Sequence, residues 1–485
     1  MFKKILIANR GEIAMRILRC CREMGIDTVM AYSEEDADSL PVQFATESVC
    51  IGPAPAGESY LNQEALLSAA IAFRCEAIHP GYGFLSENAD FAEKCEKNGI
   101  VFIGPTAKMI RDAGNKQAAR SLMKKHSIPV VPGSDGILEN WQAAAEVARR
   151  VGYPVLIKAS AGGGGRGMRR AYDENEIRRA FEEAQAEAQS AFGDGSLYLE
   201  KLILNPRHIE VQILADRNGH VVHLGERDCT MQRRNQKLLE EAPAKVLTPR
   251  QREAIHKTAL RVAKAVHYES AGTVEFVFDQ KAGTELGDDG SEKNKFCFDR
   301  EKKSSFYFIE MNTRVQVEHP VSEMISDVDI IREQIRIAAG LDLSVQQKSI
   351  QLKGHSIECR INAENPAMHF APCPGEISFV HFPAGKGIRI ESAVYPGCKV
   401  SPYYDSMIGK IIVHAPNRLE AIRKMRGALA ELTIEGVETN VDFLYLLMFN
   451  TDYMTGNVDT GFLEKNAEAI MNWDQESRKF SAGKS

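Results

Sequence analysis

Apolar and polar positions along the first hundred residues repeat in the order strand, helix, strand. KKILIANRG and TVMAYS are short apolar runs. Between them, in EIAMRILRCCREMG, Ile13, Ile17, Cys21 and Met24 recur at helical spacing and Gly25 closes the helix. A further strand, CEAIHP, runs into the turn PGYGF, and VFIGP follows after another helix. Strands alternating with amphipathic helices predict a parallel, doubly wound sheet. No G-x-G-x-x-G follows its first strand, so no dinucleotide site is expected there.

The pattern then changes. A helical connector over residues 107–125 leads through VPGSDG to a compact unit: strand PVLIKAS, a run of glycines, strand GMRRAY, a helix over 174–191 and strand LYLEKLI. Asp173 and Glu176 predict a capping box at the start of that helix. From Arg207 strands dominate (HIEVQILAD, HVVHLGERD, TVEFVFD, FYFIEMN). One helix interrupts them, with Thr248 as N-cap, Pro249 at its first position and Gln251 at its third. HSIECRINAE, KIIVHA and RLEAIRKMRGALAEL end the chain as mixed strands and helix. Between Asp279 and Phe306 lies a polar, aperiodic stretch. It reads as a long hairpin excursion and a passive insertion, since lengthening a loop costs only about 0.6 kcal/mol per doubling.

Composition narrows the function classes. At 485 residues the chain exceeds one hydrophobic core, and 44% hydrophobic with 26% charged residues describes an ordinary globular protein. The net charge of −6 offers no electrostatic reason to bind nucleic acid, so any anion site must be local. No apolar run approaches the roughly 18 residues of a membrane helix, and MFKKILIANRGEI is too poor in apolar residues for a signal peptide. Ten scattered cysteines without a C-x-x-C pair predict reduced thiols and a cytoplasmic location.

The chemistry begins at LIKASAGGGGRGMRRAY. Consecutive glycines lose much chain entropy on ordering and persist where a ligand such as a phosphate chain lies against the backbone N–H groups. Gly162, Gly164 and Gly167 match G-x-G-x-x-G, but the run joins two strands instead of opening a helix, which makes it a flap over a ligand. No P-loop occurs, since the terminal GKS has Arg478 where the leading Gly belongs, and no H-R-D or D-F-G follows. A glycine hairpin over a nucleoside triphosphate remains, with Lys158 and Lys116 as phosphate partners. A triphosphate needs a hard cation held by oxygens. Read as an extended chain, FIEMNTRVQVEHP puts Glu310, Asn312, Arg314, Gln316 and Glu318 on one face, and Ile309, Met311, Val315 and Val317 on the other. Glu275, in the neighbouring strand, is the natural third ligand beside Glu310 and Asn312.

HPGYGFLSEN, KASAGGGGRGM, NPRHIEVQ, ERDCTMQRR, FIEMNTRVQVEHPV, ECRINAE and PYYDSMIGK together resemble the signature stretches of the biotin carboxylases. These are the ATP-grasp components of biotin-dependent carboxylases, and the likeness runs from IANRGEIA to near residue 460. It implies an α/β and α+β multidomain chain. A Rossmann-like N-terminal domain (1–113) would be followed by an ATP-grasp domain (114–330) with a mobile lid over about 130–203. A mixed α/β C-terminal domain (331–460) and a tail (461–485) would complete it. It implies that Lys116, Lys158, Gly163, Gly164 and Gly165 hold phosphates, that Glu200, Lys201, Leu202 and Ile203 form the adenine hinge, and that His208 and Gln232 contact the nucleoside. Glu275, Glu310 and Asn312 would bind Mg²⁺ or Mn²⁺. Lys237, Arg314, Gln316 and the Val317 backbone would grip bicarbonate, with Glu318 as its base, and Tyr82 and Arg360 would sit at the biotin ureido ring.

The implied reaction is ATP- and bicarbonate-dependent carboxylation of biotin on a carrier protein, through carboxyphosphate. It is the first half-reaction of a carboxylase such as acetyl-CoA carboxylase of fatty acid biosynthesis, or of a two-subunit pyruvate carboxylase. The chain has no A-M-K-M biotinylation site and no room for a carboxyltransferase after residue 460, so carrier and transferase are expected as separate chains. Arg19 and Glu23 match residues of the family's dimer helix, implying a homodimer. Four features depart from the pattern: Ala161 for a fifth glycine, Asn235 for the usual His at a nucleoside contact, Lys386 for an aromatic near the dimer contact, and the insertion after Asp279. The rival readings are another ATP-grasp ligase with an amine acceptor, and an inactive regulatory relative.

Overall fold

The apolar runs of the first hundred residues pair as a five-stranded parallel sheet. Its order is Glu47–Gly52, Asp27–Ser33, Lys4–Ile7, Ala77–His79, Val101–Phe102. Helix Gly11–Glu23 covers it with Ile13, Ile17 and Cys21, as their spacing predicts, and Gly25 leaves the helix at φ +69°. The same helix also buries two charged residues, Glu12 and Arg16, which periodicity does not foresee. The computed structural model describes residues 1–114, 116–160, 167–280, 284–286, 292–294 and 305–482, with the backbone alone at 116–117, 284–286, 292–294 and 473–482.

The connector over 107–125 comprises two helices, Ala107–Gly114 and Lys116–Lys125. The glycine unit is a three-stranded antiparallel sheet in the order Met168–Ala171, Val155–Ala159, Leu197–Lys201, covered by helix Ile177–Phe192. That helix begins three residues later than predicted. Asp173 accepts from the N–H groups of Asn175 and Glu176, and Glu176 accepts from the N–H of Tyr172, so the two side chains brace a turn that precedes the helix. The box at Thr248 and Gln251 forms as expected, on helix Pro249–Ala265. Gly163, Gly164 and Gly165, predicted phosphate contacts, lie outside the described residues, as does Ala161.

The strands after Arg207 build one eight-stranded antiparallel sheet. The order is Phe306–Asn312, Ser270–Asp279, Pro206–Ala215, Val221–Arg233, Gln236–Ala242, His355–Asn362, Met407–Ala415, Ile388–Ser392. Helix Pro249–Ala265 packs Ile255, Ala259 and Val262 against Val211, Val274 and Phe276. Helix Arg418–Glu431 packs Ile422, Met425 and Leu429 against Ile357, Ile411 and Val413. No described helix is long and apolar enough to cross a membrane, and the described cysteines are free thiols.

The extended reading of FIEMNTRVQVEHP holds only to Asn312; residues 313–318 turn, and helix His319–Ser326 follows with Pro320 in its first turn. Within the strand a bulge changes the faces. Phe276 pairs with Phe308 and Glu275 with Glu310, which leaves Ile309 unopposed. Phe306 and Phe308 point into the core before the bulge and Met311 after it, so Glu310 and Asn312 leave the core face. Ile309, expected beside Met311, is instead 38% exposed. At the other end of this hairpin the Asp279 N–H donates to the Ser305 carbonyl at 2.8 Å. The excursion beyond contains a two-stranded ribbon, Thr284–Leu286 with Glu292–Asn294, and its other residues past Gln280 are outside the described ones.

Glu241 ties the sheet to helix Arg418–Glu431. It accepts from Arg418 at 2.5 and 3.0 Å and lies 2.7 Å from His355 Nε2. Burial pushes this carboxyl up, but Arg418 and then His355 outweigh it and hold Glu241 below the ordinary 4.5. A depressed folded-state value contributes stability above pH 4.5 that is lost as pH falls further. Glu241→Gln is therefore expected to melt earlier than the parent at neutral pH, with the gap narrowing as the solution is acidified below 4.5. Thermal denaturation across that range checks it.

Candidate active site

A cavity of about 560 Å³ opens between the three-stranded and eight-stranded sheets. Of the residues the sequence assigns to ATP, Lys158, Glu200, Lys201, Leu202, Ile203, His208, Gln232, Asn235 and Glu310 line it together. Lys158 Nζ lies 2.5 Å from Glu200 Oε2, and Arg120, which sequence reasoning missed, bonds the other oxygen of Glu200. Lys116 starts the helix that carries Arg120, four residues on and so on the same face, but its side chain is outside the description. The Lys201 ammonium donates to the Gly152 and Tyr153 carbonyls at 2.8 and 2.7 Å, so its backbone is what it offers a ligand.

Asn235 belongs to a two-residue turn. Arg233 pairs with Gln236, and the intervening Arg234 and Asn235 have φ of +50° and +64°. Both are left-handed, as a type I′ hairpin requires, and Asn tolerates that region better than most residues. A backbone demand thus accounts for the Asn.

The deepest part of the site is a buried ionic cluster. Lys237 Nζ sits 2.6 Å from Glu210 Oε2, 2.6 Å from Glu318 Oε1 and 3.3 Å from Glu275 Oε1. Arg360 donates to Glu318 Oε2 at 2.9 Å and to Glu240 Oε1 at 2.7 Å. Burial pushes Glu318 up, but Lys237, then Arg360 and Arg227, hold it well below the usual carboxylate range. Burial likewise lowers Lys237, and Glu210, Glu275 and Glu318 together raise it well above a normal ammonium. Glu318 and Lys237 are therefore both ionised at neutral pH.

Arg227 organises the floor. It is fully buried and donates to Glu210 (2.6 Å), Gln212 (2.6 Å), Gln316 (2.6 Å), Ser322 (3.0 Å) and Thr273 (3.1 Å). Gln316 in turn donates to Glu275 Oε1 at 2.8 Å, and Lys410 donates to the Val317 carbonyl at 2.7 Å. Lys410 is also 3.0 Å from Glu12, to which the Tyr82 hydroxyl donates. Arg227, Glu210, Glu240, Glu12 and Lys410 were not singled out from the sequence. Glu210 and Lys410 give a visible signal, a lone charge inside an otherwise apolar strand; Glu12 lies on a helix, and Arg227 and Glu240 stand beside other charges.

Arg314 differs from expectation. Its guanidinium bonds Glu87 at 2.9 Å and the Val315 carbonyl at 3.2 Å, and contacts neither Lys237 nor Glu318. The strand ends at Asn312, so Arg314 leaves along the turn toward Glu87, while Glu318 reaches the cluster as the residue before helix His319–Ser326. Burial lowers Arg314, but Glu87 and, more weakly, Glu318 and Glu275 raise it further.

Glu275 and Glu310 stand directly opposite one another across the antiparallel pair, and Asn312 Nδ2 donates to Glu275 Oε1 at 2.6 Å. Two carboxylates and an amide oxygen are hard donors that suit Mg²⁺ or Mn²⁺, and Glu310 among them lines the cavity. His208, assigned to the nucleoside, has Nε2 3.0 Å from Glu275 Oε2. Arg19 pairs with Glu391 at 3.2 Å, Glu23 with Arg332 at 3.1 Å, and the Lys386 carbonyl accepts from Lys424 at 2.9 Å.

With that geometry in hand, comparisons with known proteins identify its kin. The chain matches the families described as "Biotin carboxylase, N-terminal domain" over residues 1–110 and "Biotin carboxylase C-terminal domain" over 358–465. Between them it matches "Carbamoyl-phosphate synthase L chain, ATP binding domain" over 115–286 and 281–346. It is 50% identical to "Biotin carboxylase 1" of Bacillus subtilis over 464 residues, covering 96% of this chain and 98% of that one. Among solved structures it resembles a biotin carboxylase–β,γ-ATP complex from Campylobacter jejuni (TM-score 0.88, 49% identity, 96% and 99% of the two chains). It also resembles the biotin carboxylase domain dimer of Hydrogenobacter thermophilus 2-oxoglutarate carboxylase with MgADP, ADP and bicarbonate (TM-score 0.86, 48% identity, 97% and 99%).

Proposed function

The chain belongs to the biotin carboxylase family, and from that premise we propose that the Lys237–Glu318–Arg360 cluster is where bicarbonate is activated and biotin carboxylated. Its activity is the ATP-dependent carboxylation of biotin. The observation that carries the site assignment is one carboxylate, Glu318, held between two cations within 3 Å, and joined through Lys237 and Glu275 to His208 in the cavity wall.

ATP fills the cavity, with the hinge backbone of 200–203 at its base and Lys158 on its phosphates. Glu275, Glu310 and Asn312 would hold a divalent cation, which would supply charge neutralisation to the polyphosphate. Bicarbonate lies against Lys237 and the Gln316–Val317 segment, where Glu318 takes its proton and Lys237 stabilises the growing charge. Oxygen attack on the γ-phosphorus breaks its bond to the β,γ-bridging oxygen, releasing ADP and yielding carboxyphosphate, which water would hydrolyse, so the lid over about 130–203 must close. Breakdown to CO₂ and phosphate lets phosphate take the biotin N1′ proton, and Arg360, near Tyr82, stabilises the ureido anion that attacks CO₂. Arg314, held by Glu87, reaches bicarbonate only by exchanging that partner. The likeness to the dimer from H. thermophilus and the retained Arg19 and Glu23 support a homodimer. Carrier and carboxyltransferase are separate chains that choose the final acceptor, and the protein works in the cytoplasm.

The test is ADP release. It should require bicarbonate and rise with free biotin; an amine-accepting ligase would ignore biotin, and an inactive relative would release no ADP. Lys237→Gln is expected to lower bicarbonate-dependent turnover by about 10²–10³-fold, the usual effect of losing one preorganised donor to a developing anion. A variant with parental turnover removes Lys237 from the scheme.

A further inference from the structure

One pair of buried acids next to this site has no place in the reaction as described. Glu240 and Glu358 face each other directly across strands Gln236–Ala242 and His355–Asn362, and both are 0% exposed. Glu240 Oε1 receives Arg360, but Glu240 Oε2 and both oxygens of Glu358 have no hydrogen-bond partner. Two ionised carboxylates opposed across a ladder repel each other, and three unsatisfied acceptors in a dry interior are costly. A single proton removes the repulsion and pairs two of the three oxygens, because a Glu358 hydroxyl can donate to Glu240 Oε2.

We propose that Glu240 and Glu358 share one proton, and that this carboxyl pair is the positioning element that aims Arg360 at the biotin ureido oxygen. The inference rests on the biotin role assigned to Arg360 above. Holding one proton keeps the pair at a single negative charge, enough to fix the guanidinium through Glu240 Oε1 without drawing it off Glu318 and the substrate. The surrounding charges are mixed. Lys237 lies on Glu240's own strand and Cys229 on the strand beside it; Glu318 faces the pair from the start of helix His319–Ser326. Lys410 faces Glu358 from strand Met407–Ala415, with Glu12 and Tyr82 beyond it. Burial is the largest influence on both acids: it drives Glu358 well above the usual carboxylate range and Glu240 to about 7, against the opposing pull of Arg360 and Lys410. Coupled acids titrate as a unit, so loss of the shared proton appears as one alkaline limb of activity.

The experiment measures kcat and the KM for ATP in biotin carboxylation from about pH 6 to about pH 9 for the parent, Glu358→Ala and Glu358→Gln. Glu358→Ala is expected to lose roughly 10- to 100-fold in kcat through a misplaced guanidinium, with little change in the KM for ATP. Glu358→Gln still donates to Glu240, so it recovers most of that kcat; having no proton to lose, it lacks the parent's alkaline limb. Parental kcat in the Ala variant, or a parental alkaline limb in the Gln variant, overturns the proposal. Should the Ala variant fail to fold by thermal melting, the pH profile of the Gln variant decides alone. Failure of the underlying reading looks different: Arg360→Gln would then keep biotin-dependent turnover, whatever the Glu358 variants do.

Discussion

Replacing Glu318 by Gln is expected to cut bicarbonate-dependent ATP turnover by roughly 10²–10⁴-fold, the range for losing a positioned general base, and to leave the fold intact. The catalytic loss follows from chemistry: an amide cannot take the bicarbonate proton, and bicarbonate is a poor nucleophile while it keeps it. The structural tolerance follows from the partners left behind. Without the Glu318 charge, Lys237 still has Glu210 at 2.6 Å and Glu275 at 3.3 Å, and Arg360 still has Glu240 at 2.7 Å. Neither cation is stranded, so the usual penalty for breaking a buried pair does not arise. A coupled ADP-release assay beside a thermal melt separates the two effects. Turnover within about tenfold of the parent would falsify the base assignment.

The largest expected effect on stability comes from Arg227→Met. Five side chains converge on this guanidinium, and removing it leaves Glu210, Glu275 and Glu318 sharing the one Lys237 ammonium, with negative charge in excess, and takes a donor from Gln316. Uncompensated buried charge costs about 3–5 kcal/mol. For units of this size that amounts to a melting temperature lower by about 10 °C. Arg227→Lys keeps the charge but not the planar fork, and should fall between the two. A Met variant that melts with the parent would show that the floor of the site is held elsewhere. Activity should fall as well, since Gln316 and Glu275 lose a common anchor.

The contrast between these two residues shows what a sequence conveys. Glu318 was legible because it sits in a run specific to one family, and the helical spacing of Ile13, Ile17 and Cys21 was legible because it reports one buried face. Arg227 was not. In GERDCTMQRR it stands between Glu226 and Asp228, in a stretch that resembles a family signature but gave Arg227 no role, and all three are buried. Glu226 meets Arg252 and His256 on helix Pro249–Ala265, Arg227 meets Glu210, and Asp228 meets Arg207. Only a strand in the middle of a wide sheet gives three consecutive charges three separate interiors, and sheet order is a long-range fact. The bulge at Ile309 escaped for a similar reason. Strict alternation was the right rule for a regular strand, but the position where pairing slips by one is set by the partner strand. Arg314 shared the parity of Glu318 and nevertheless left for Glu87, because the chain had stopped being a strand two residues earlier.

The clamp between Asp279 and Ser305 lies four residues along the strand from Glu275, about 13 Å from the acid ladder. It closes the ladder before the chain departs, so changes of length beyond it leave the bulge, and with it the acids, in register. That end of the hairpin is a mechanical dead end as seen from the catalytic centre. The chain can carry a graft, a tag or a shortened crossing there while its chemistry runs undisturbed.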